Sequence, residues 1–247
     1  MNKNKPLILV VNDDGIDSQG INFLKKIMYQ IGDVYVVAPD SNRSAYSHSM
    51  TLNDSISIKQ LNINLNEFSC SGTPVDCVKL ALNKILPRTP DLCVSGINHG
   101  SNQSINGLYS GTLHAAMEAN IHGVPAISFS HLSYNHIINF TPFTSFIYNI
   151  SSKVLVDSAE GVTLNINFPD GFRTRYISFK AFWLSGIEHK LNVVTAVSIE
   201  LSSNGNSSAD AIIKLTSRLY LLALSLANLF NSFEGSTPYI FVTLLES

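Results

Sequence analysis

Short runs of consecutive apolar residues alternate with longer stretches in which apolar residues recur at helical spacing, and this continues through the first two thirds of the chain. Unbroken apolar runs read as strands buried on both faces. The periodic stretches between them read as covering helices, so the pattern predicts a parallel α/β sheet. Pro6-Leu-Ile-Leu-Val-Val11 is the first such strand. A helix carrying Ile21, Leu24, Ile27 and Met28 follows, then a strand at 34–38 closed by Pro39-Asp40. Weak alternation at 55–58 and 62–65 predicts a hairpin or a pair of edge strands. Thr73 is placed to cap a helix, Pro74 to open it, and Asp76 to sit in its first turn, where a negative charge is favoured. Val75, Val78, Leu80, Ala81, Leu82 and Ile85 carry that helix on as a mostly buried one. A strand at 91–95, a helix over 111–120, a strand at 126–130, a helix near 143–156 and a strand at 163–167 complete the regular part.

Beyond about residue 170 the periodicity fades. The composition shift there suggests a C-terminal arm or small subdomain over 171–247 after an α/β domain over 1–170. Residues 202–208 read as a polar turn, and 212–230 as a helix without a clean amphipathic period.

Composition narrows the function classes. Of 247 residues, 45% are hydrophobic, enough for a real core. Lys and Arg number 16 against 18 Asp and Glu, a net charge of −2, so no basic excess offers a nucleic-acid or anionic-membrane surface. Cys70, Cys77 and Cys93 form neither a CxxC pair nor a dense framework and read as buried thiols in a reducing compartment. The apolar run at 6–11 is too short for a signal-peptide core, and 219–230 is too short to span a bilayer. A soluble cytoplasmic protein is expected.

Four polar stretches follow strands or open helices, where ligands gather in open α/β sheets. The sharpest is Asn12-Asp13-Asp14-Gly15, directly after the first strand. Two carboxylates roughly 4 Å apart repel by about 4 kcal/mol at an effective dielectric near 20. A divalent cation relieves this, and hard oxygen ligands suit Mg²⁺, Mn²⁺ or Ca²⁺. The alternative is an ordinary strand-ending turn, rich in the same residues. The second stretch, Asp40 to Ser49, offers the Ser44 hydroxyl as a ligand, with Asn42 and Arg43 to hold an oxyanion; a solvated loop is the alternative. The third, Ser95-Gly-Ile-Asn98-His-Gly100-Ser-Asn102, supplies neutral amide oxygens, or else is a glycine-rich turn. The fourth, Tyr109-Ser110-Gly111-Thr112, opens a helix, where free backbone N–H groups and two hydroxyls make a phosphate cradle or simply a helix cap. No Walker A lysine or GxGxxG fingerprint is present, and His114 and Glu118 lack the HExxH context of a zinc protease. His48 reads as a solvated loop histidine more readily than as a general base. A phosphoacceptor signalling domain would need a further Asp after its third strand and a later Lys, and no convincing pair occurs. In a parallel sheet the four stretches converge on one edge.

These residues, in this order and spacing, resemble the SurE (survival protein E) family over roughly residues 7 to 130. The likeness is carried by Leu9-Val-Val-Asn-Asp-Asp-Gly-Ile16, Val36-Val-Ala-Pro-Asp-Ser-Asn-Arg-Ser44, Ser71-Gly-Thr-Pro-Val-Asp-Cys-Val-Lys-Leu80, Ser95-Gly-Ile-Asn98, Tyr109-Ser-Gly-Thr112, Ala115-Ala-Met-Glu118 and Gly123-Val-Pro-Ala-Ile127. The resemblance implies a Rossmann-like, mostly parallel sheet with flanking helices and a divalent-metal-dependent phosphatase acting on nucleoside 5′- or 3′-monophosphates. It implies that Asp13, Asp14, Ser44 and Asn98 ligate one Mg²⁺ or Mn²⁺ per subunit; in the hydrolysis expected on that basis, Asp13 or Asp14 orients or deprotonates the attacking water. Asn102 and the Ser110-Gly111-Thr112 turn would lie beside the phosphate. It also implies a homodimer or homotetramer with exchanged C-terminal arms. Leu164-Asn-Ile-Asn-Phe-Pro169 and Thr174-Arg175 still look like the family, but Lys214-Leu-Thr-Ser-Arg218 stands where a glycine-tyrosine segment is usual. That departure motivates an alternative: a member that binds nucleotide or metal with weakened turnover or none.

Overall fold

The computed structural model describes residues 5–62, 65–135, 137–157, 162–168, 179–185 and 195–201. Its elements are β1 (Leu7–Val11), α1 (Gln19–Met28), β2 (Asp33–Pro39), β3 (Ile58–Asn62), β4 (Glu67–Cys70), α2 (Pro74–Leu80), β5 (Leu92–His99), α3 (Gly111–Ile121), β6 (Ala126–His131), α4 (Thr144–Asp157), β7 (Val162–Phe168), β8 (Phe179–Ser185) and β9 (Thr195–Leu201). Among the described residues these strands form one nine-stranded sheet in the order β3-β4-β2-β1-β5-β6-β7-β9-β8. The interior pairings are parallel, and the two outermost pairs, β3 with β4 and β8 with β9, are antiparallel.

The unbroken apolar run of β1 is explained by cover on both faces. Ile8 and Val10 join a core with Ile21, Leu24 and Met28 of α1 and Phe146, Ile147 and Ile150 of α4. Leu9 and Val11 point the other way, toward Cys77 and Val78 of α2 and Ala115, Ala116 and Ala119 of α3. The alanine stripe lets α3 lie close to the sheet. Thr73 caps α2 as expected, and Asp76 completes a capping box, with Asp76 N–H donating to Thr73 Oγ1 at 3.1 Å and Thr73 N–H to Asp76 Oδ2 at 2.9 Å. Cys70, Cys77 and Cys93 are all buried free thiols.

Two boundaries differ from expectation because pairing overrides local pattern, and one helix ends in a different helical form. The edge pair lies at Ile58–Asn62 and Glu67–Cys70, since β4 docks parallel on β2 from Val36↔Glu67 onward. Strand β5 runs past Ser95 to His99, because after an irregularity its end pairs again with β6 through Asn98↔Ser130 and His99↔His131. The second helix is α-helical only to Leu80 and closes with a π-helical turn at Ala81–Ile85. Past residue 170 the sheet continues through β9, paired parallel to β7, and β8. The expectations for 202–208 and 212–230 lie outside the described residues. No helix among the described residues is long and apolar enough to cross a membrane.

Strand order reverses at β1, whose chain proceeds to β2 on one side while β5 pairs on the other. In open α/β sheets ligands bind at such a switch point, which here lies at the carboxyl ends of β1 and β5.

Candidate active site

The turn after β1 is shaped by its own side chains. Asn12 Nδ2 donates to the Gly15 carbonyl and to Ser18 Oγ, both at 2.9 Å. Gly15 adopts φ +102°, a conformation unfavourable for residues with a Cβ, and the Ile16 N–H reaches the Pro39 carbonyl at 2.9 Å. The turn is thereby held against the end of β2, and Asp13 and Asp14 are displayed at the switch point.

Asp13 is only 3% exposed. Thr112, in the first turn of α3, donates its hydroxyl to Asp13 Oδ1 at 2.5 Å. Gly111 permits this approach: a Cβ there would lie 2.8 Å from the Cβ of Asp13 and 3.0 Å from its Oδ2. Asp14 is half-buried and accepts the backbone N–H of His99 at 3.4 Å, so the end of β5 meets the end of β1. Burial, with Asp14 alongside, pushes the Asp13 carboxyl up to about 7 against the pull of the Thr112 hydrogen bond. Burial likewise raises Asp14 to about 6. Among the described residues, no Lys, Arg or His forms an ion pair with either.

The remaining expected residues approach from three loops. The Arg43 N–H donates to the Asp13 carbonyl at 2.7 Å, which brings the loop bearing Ser44 onto the carboxylate turn. Asn42 Oδ1 accepts the Ser44 N–H at 2.8 Å, and Ser44 is exposed. The Arg43 guanidinium turns to the Ser71 carbonyl at 3.0 Å and stacks over Tyr46 at 5.8 Å. Asn98 is buried and donates from Nδ2 to the Gly100 carbonyl at 2.9 Å. Its Oδ1, the atom a hard cation takes, is left without a hydrogen bond among the described residues. Ser110 caps α3, its Oγ accepting the Leu113 N–H at 2.9 Å, so its own proton remains free to donate. Thr112 is fully buried with its hydroxyl committed to Asp13, so what it offers a ligand is its backbone N–H. Asn102 donates from Nδ2 to Ser130 Oγ at 2.8 Å.

Two carboxylates, an amide oxygen and a hydroxyl make an all-oxygen donor set that fits a hard divalent cation. No group of three or more His, Cys, Asp or Glu side chains among the described residues offers a competing site. Beside the site, Glu118 of α3 gathers His48 Nε2 at 2.7 Å, Lys79 Nζ at 3.0 Å and His122 Nε2 at 3.2 Å. The His114 ring lies 5.1 Å from His48, and burial lowers the pKa of His114. Contacts that sequence reasoning did not anticipate are those of the His99 backbone N–H with Asp14, of Glu118 with His48, Lys79 and His122, and of Asn165 and Asn167 of β7 with Asn102. Two asparagines spaced by two in an otherwise apolar strand were the signal for the last pair.

The Survival protein SurE family model matches residues 8–200. The chain is similar to the 5′-nucleotidase SurE of Christiangramia forsetii, 54% identical over 174 residues that cover 68% of this chain and 67% of that protein. The 5′-nucleotidase SurE of Flavobacterium psychrophilum is 54% identical over 169 residues, 67% of this chain and 66% of that one. These matches span about two thirds of the curated relatives' length. The crystal structure of the SurE protein from Aquifex aeolicus superposes with a TM-score of 0.63 at 29% identity, covering 87% of this chain and all of that one. On the match over residues 8–200 and these similarities, the chain belongs to the SurE family.

Proposed function

We propose that this chain is a phosphoric monoester hydrolase that releases phosphate from nucleoside 5′- or 3′-monophosphates. The observation that carries the reading is the carboxylate pair Asp13–Asp14, Asp13 buried and Asp14 half-buried, in no ion pair with a basic side chain among the described residues, with Asp13 meeting the first turn of α3 at the sheet's switch point. The similar proteins named 5′-nucleotidase SurE support it.

Asp13, Asp14, Asn98 and Ser44 would hold one Mg²⁺ or Mn²⁺ per subunit, which would supply Lewis-acid polarisation of the phosphoryl group and neutralise the two carboxylates. The chain's own residues account for the rest. Asp13, locked by Thr112, is the fixed acid. Asp14 is more exposed and commits only Oδ2, to the His99 N–H, so its Oδ1 is free to orient the attacking water and take its proton. The N–H groups of Gly111 and Thr112 at the α3 N-terminus and the Ser110 hydroxyl donate to phosphate oxygens as charge redistributes. Asn102 lies on the same side, while Asn42 and Arg43 shape the loop that carries Ser44.

All these residues fall within 1–170, which we read as the catalytic α/β domain, with 171–247 as an extension whose strands β8 and β9 widen the sheet. The reading includes a cytoplasmic homodimer or homotetramer, consistent with three free cysteines.

The test is phosphate release from AMP and GMP with Mg²⁺ or Mn²⁺. Wild type turns over and Asp13→Asn loses roughly 10²-fold or more in kcat. Equal rates in the two proteins would remove the site assignment.

A further inference from the structure

Strand β7 departs from the rule that a parallel interior strand is apolar on both faces. Leu164, Ile166 and Phe168 pack into the core, but the opposite face presents Thr163, Asn165 and Asn167, each fully buried. Register rows extend this polar face across the sheet. Asn165 lies beside Ser128 of β6, and Asn167 beside Ser130, which in turn lies beside Asn98 of β5. Burying such groups is costly unless their hydrogen bonds are made, so where they go is informative.

Those of Asn165, Asn167 and Ser130 converge on one loop residue. Asn167 Oδ1 accepts the backbone N–H of Asn102 at 2.9 Å, and Asn165 Nδ2 donates to the backbone carbonyl of the same Asn102 at 2.8 Å. Ser130 Oγ accepts the Asn102 side chain at 2.8 Å. The two asparagines are tied to each other, Asn167 Nδ2 to Asn165 Oδ1 at 3.3 Å, and Ser128 Oγ donates to that same oxygen at 3.0 Å. Asn102 thus has both main-chain groups gripped by side chains of a strand far off in sequence, as a neighbouring strand would grip them.

We propose that Asn165 and Asn167 are positioning residues for the phosphate side of the site. They hold the connection from β5 to α3, residues 100–110, so that Asn102 and the Ser110 cap are presented in one place. The claim rests on the nucleotidase reading for its functional consequence, but not for the clamp itself. A loop left to solvent would need to be ordered at each encounter with substrate, whereas a clamped one is preorganised.

The experiment uses the full chain and four proteins: wild type, Asn167→Leu, Ser130→Ala and Thr163→Val. Thr163 lies on the same face, but its buried hydroxyl has no hydrogen-bond partner among the described residues, which makes Thr163→Val the control. Amide hydrogen exchange is followed over 100–110 and over β1 and α1. Exchange over 100–110 rises about tenfold or more in Asn167→Leu and several-fold in Ser130→Ala, with β1 and α1 unchanged and Thr163→Val like wild type. In the same variants kcat/KM for AMP falls about tenfold while Mn²⁺ affinity by calorimetry stays within about twofold. Unchanged exchange over 100–110, or a rise that merely tracks β1 and α1, overturns the clamp; if Asn167→Leu does not fold, Ser130→Ala alone decides. Raised exchange over 100–110 with kcat/KM unchanged overturns the positioning role. If wild type releases no phosphate from any nucleoside monophosphate, the nucleotidase reading fails while the exchange data still judge the clamp.

Discussion

The Thr112 hydroxyl donates to Asp13 Oδ1 at 2.5 Å, joining the first turn of α3 to the end of β1 across 99 residues of sequence. The bond orients a nearly fully buried carboxylate and favours its charged form, because a hydrogen bond to the carboxylate offsets part of its desolvation. Thr112→Val keeps the shape and deletes the donor. The Asp13 carboxyl then moves further up from about 7, and Mn²⁺ affinity at neutral pH drops by about tenfold. Calorimetric titration toward mildly alkaline pH recovers part of that loss in the variant. A pH-independent deficit would argue against this account.

Gly111→Ala tests the close approach rather than the charge. The added methyl meets the Asp13 Cβ at 2.8 Å, its Oδ2 at 3.0 Å and the Pro74 Cγ at 3.1 Å, so the carboxylate or the helix must shift. Overpacking of this kind costs roughly 1–3 kcal/mol. We expect lowered Tm together with weakened Mn²⁺ binding, whereas Gly123→Ala, where a Cβ meets nothing within 4 Å, leaves metal binding intact despite its own positive φ.

Stability of the metal-free protein depends on pH through the same pair. Asp13 at about 7 and Asp14 at about 6 both lie above the ordinary value of 3.8, so the folded state binds more protons than the unfolded chain between those values. This contribution favours folding below about pH 4 and is lost as pH rises toward 7. Thermal melts with a chelator therefore show a stability deficit at neutral pH that Asp13→Asn relieves and that added Mg²⁺ reverses in wild type. A wild-type curve that is the same with and without Mg²⁺ at pH 7 would count against the site.

Glu118 carries the opposite sign. Burial pushes its carboxyl up, but hydrogen bonds from His48 and Lys79 prevail and hold it at about 2, below the ordinary 4.5. The stabilisation is present above 4.5 and disappears as pH falls toward 2. His48 and Lys79 are 32% and 37% exposed, so solvent screening reduces the network to roughly 1–2 kcal/mol. Glu118→Gln lowers Tm by that equivalent at neutral pH, and the gap to wild type narrows on acidification. A gap that holds constant down to the acid limit would show that charge is not the cause.

How much was legible follows the physics of each element. The NDDG turn, the helix opened by Thr73 and Pro74, and the strands β1, β2, β6 and β7 are written locally, in turn chemistry, capping and burial pattern. Their type and place were readable for that reason, as were the four converging polar stretches. Strands β3 and β4 were misplaced because their side chains alternate weakly and their register is set by docking on β2. The extension of β5 through Gly96-Ile97-Asn98-His99 reads as a turn and becomes a strand only when β6 is present to pair with it.

The sequence by itself therefore determined the α/β class, the family and the positions of the polar stretches, since these depend on residue type and short-range spacing. Tertiary structure alone decided that Thr112 serves Asp13, that the Arg43 guanidinium turns to Ser71, and that Asn165 and Asn167 grip Asn102. Each of these is a contact between residues tens of positions apart. No local propensity encodes such a contact, because a hydrogen bond has a direction that exists only once both partners are packed.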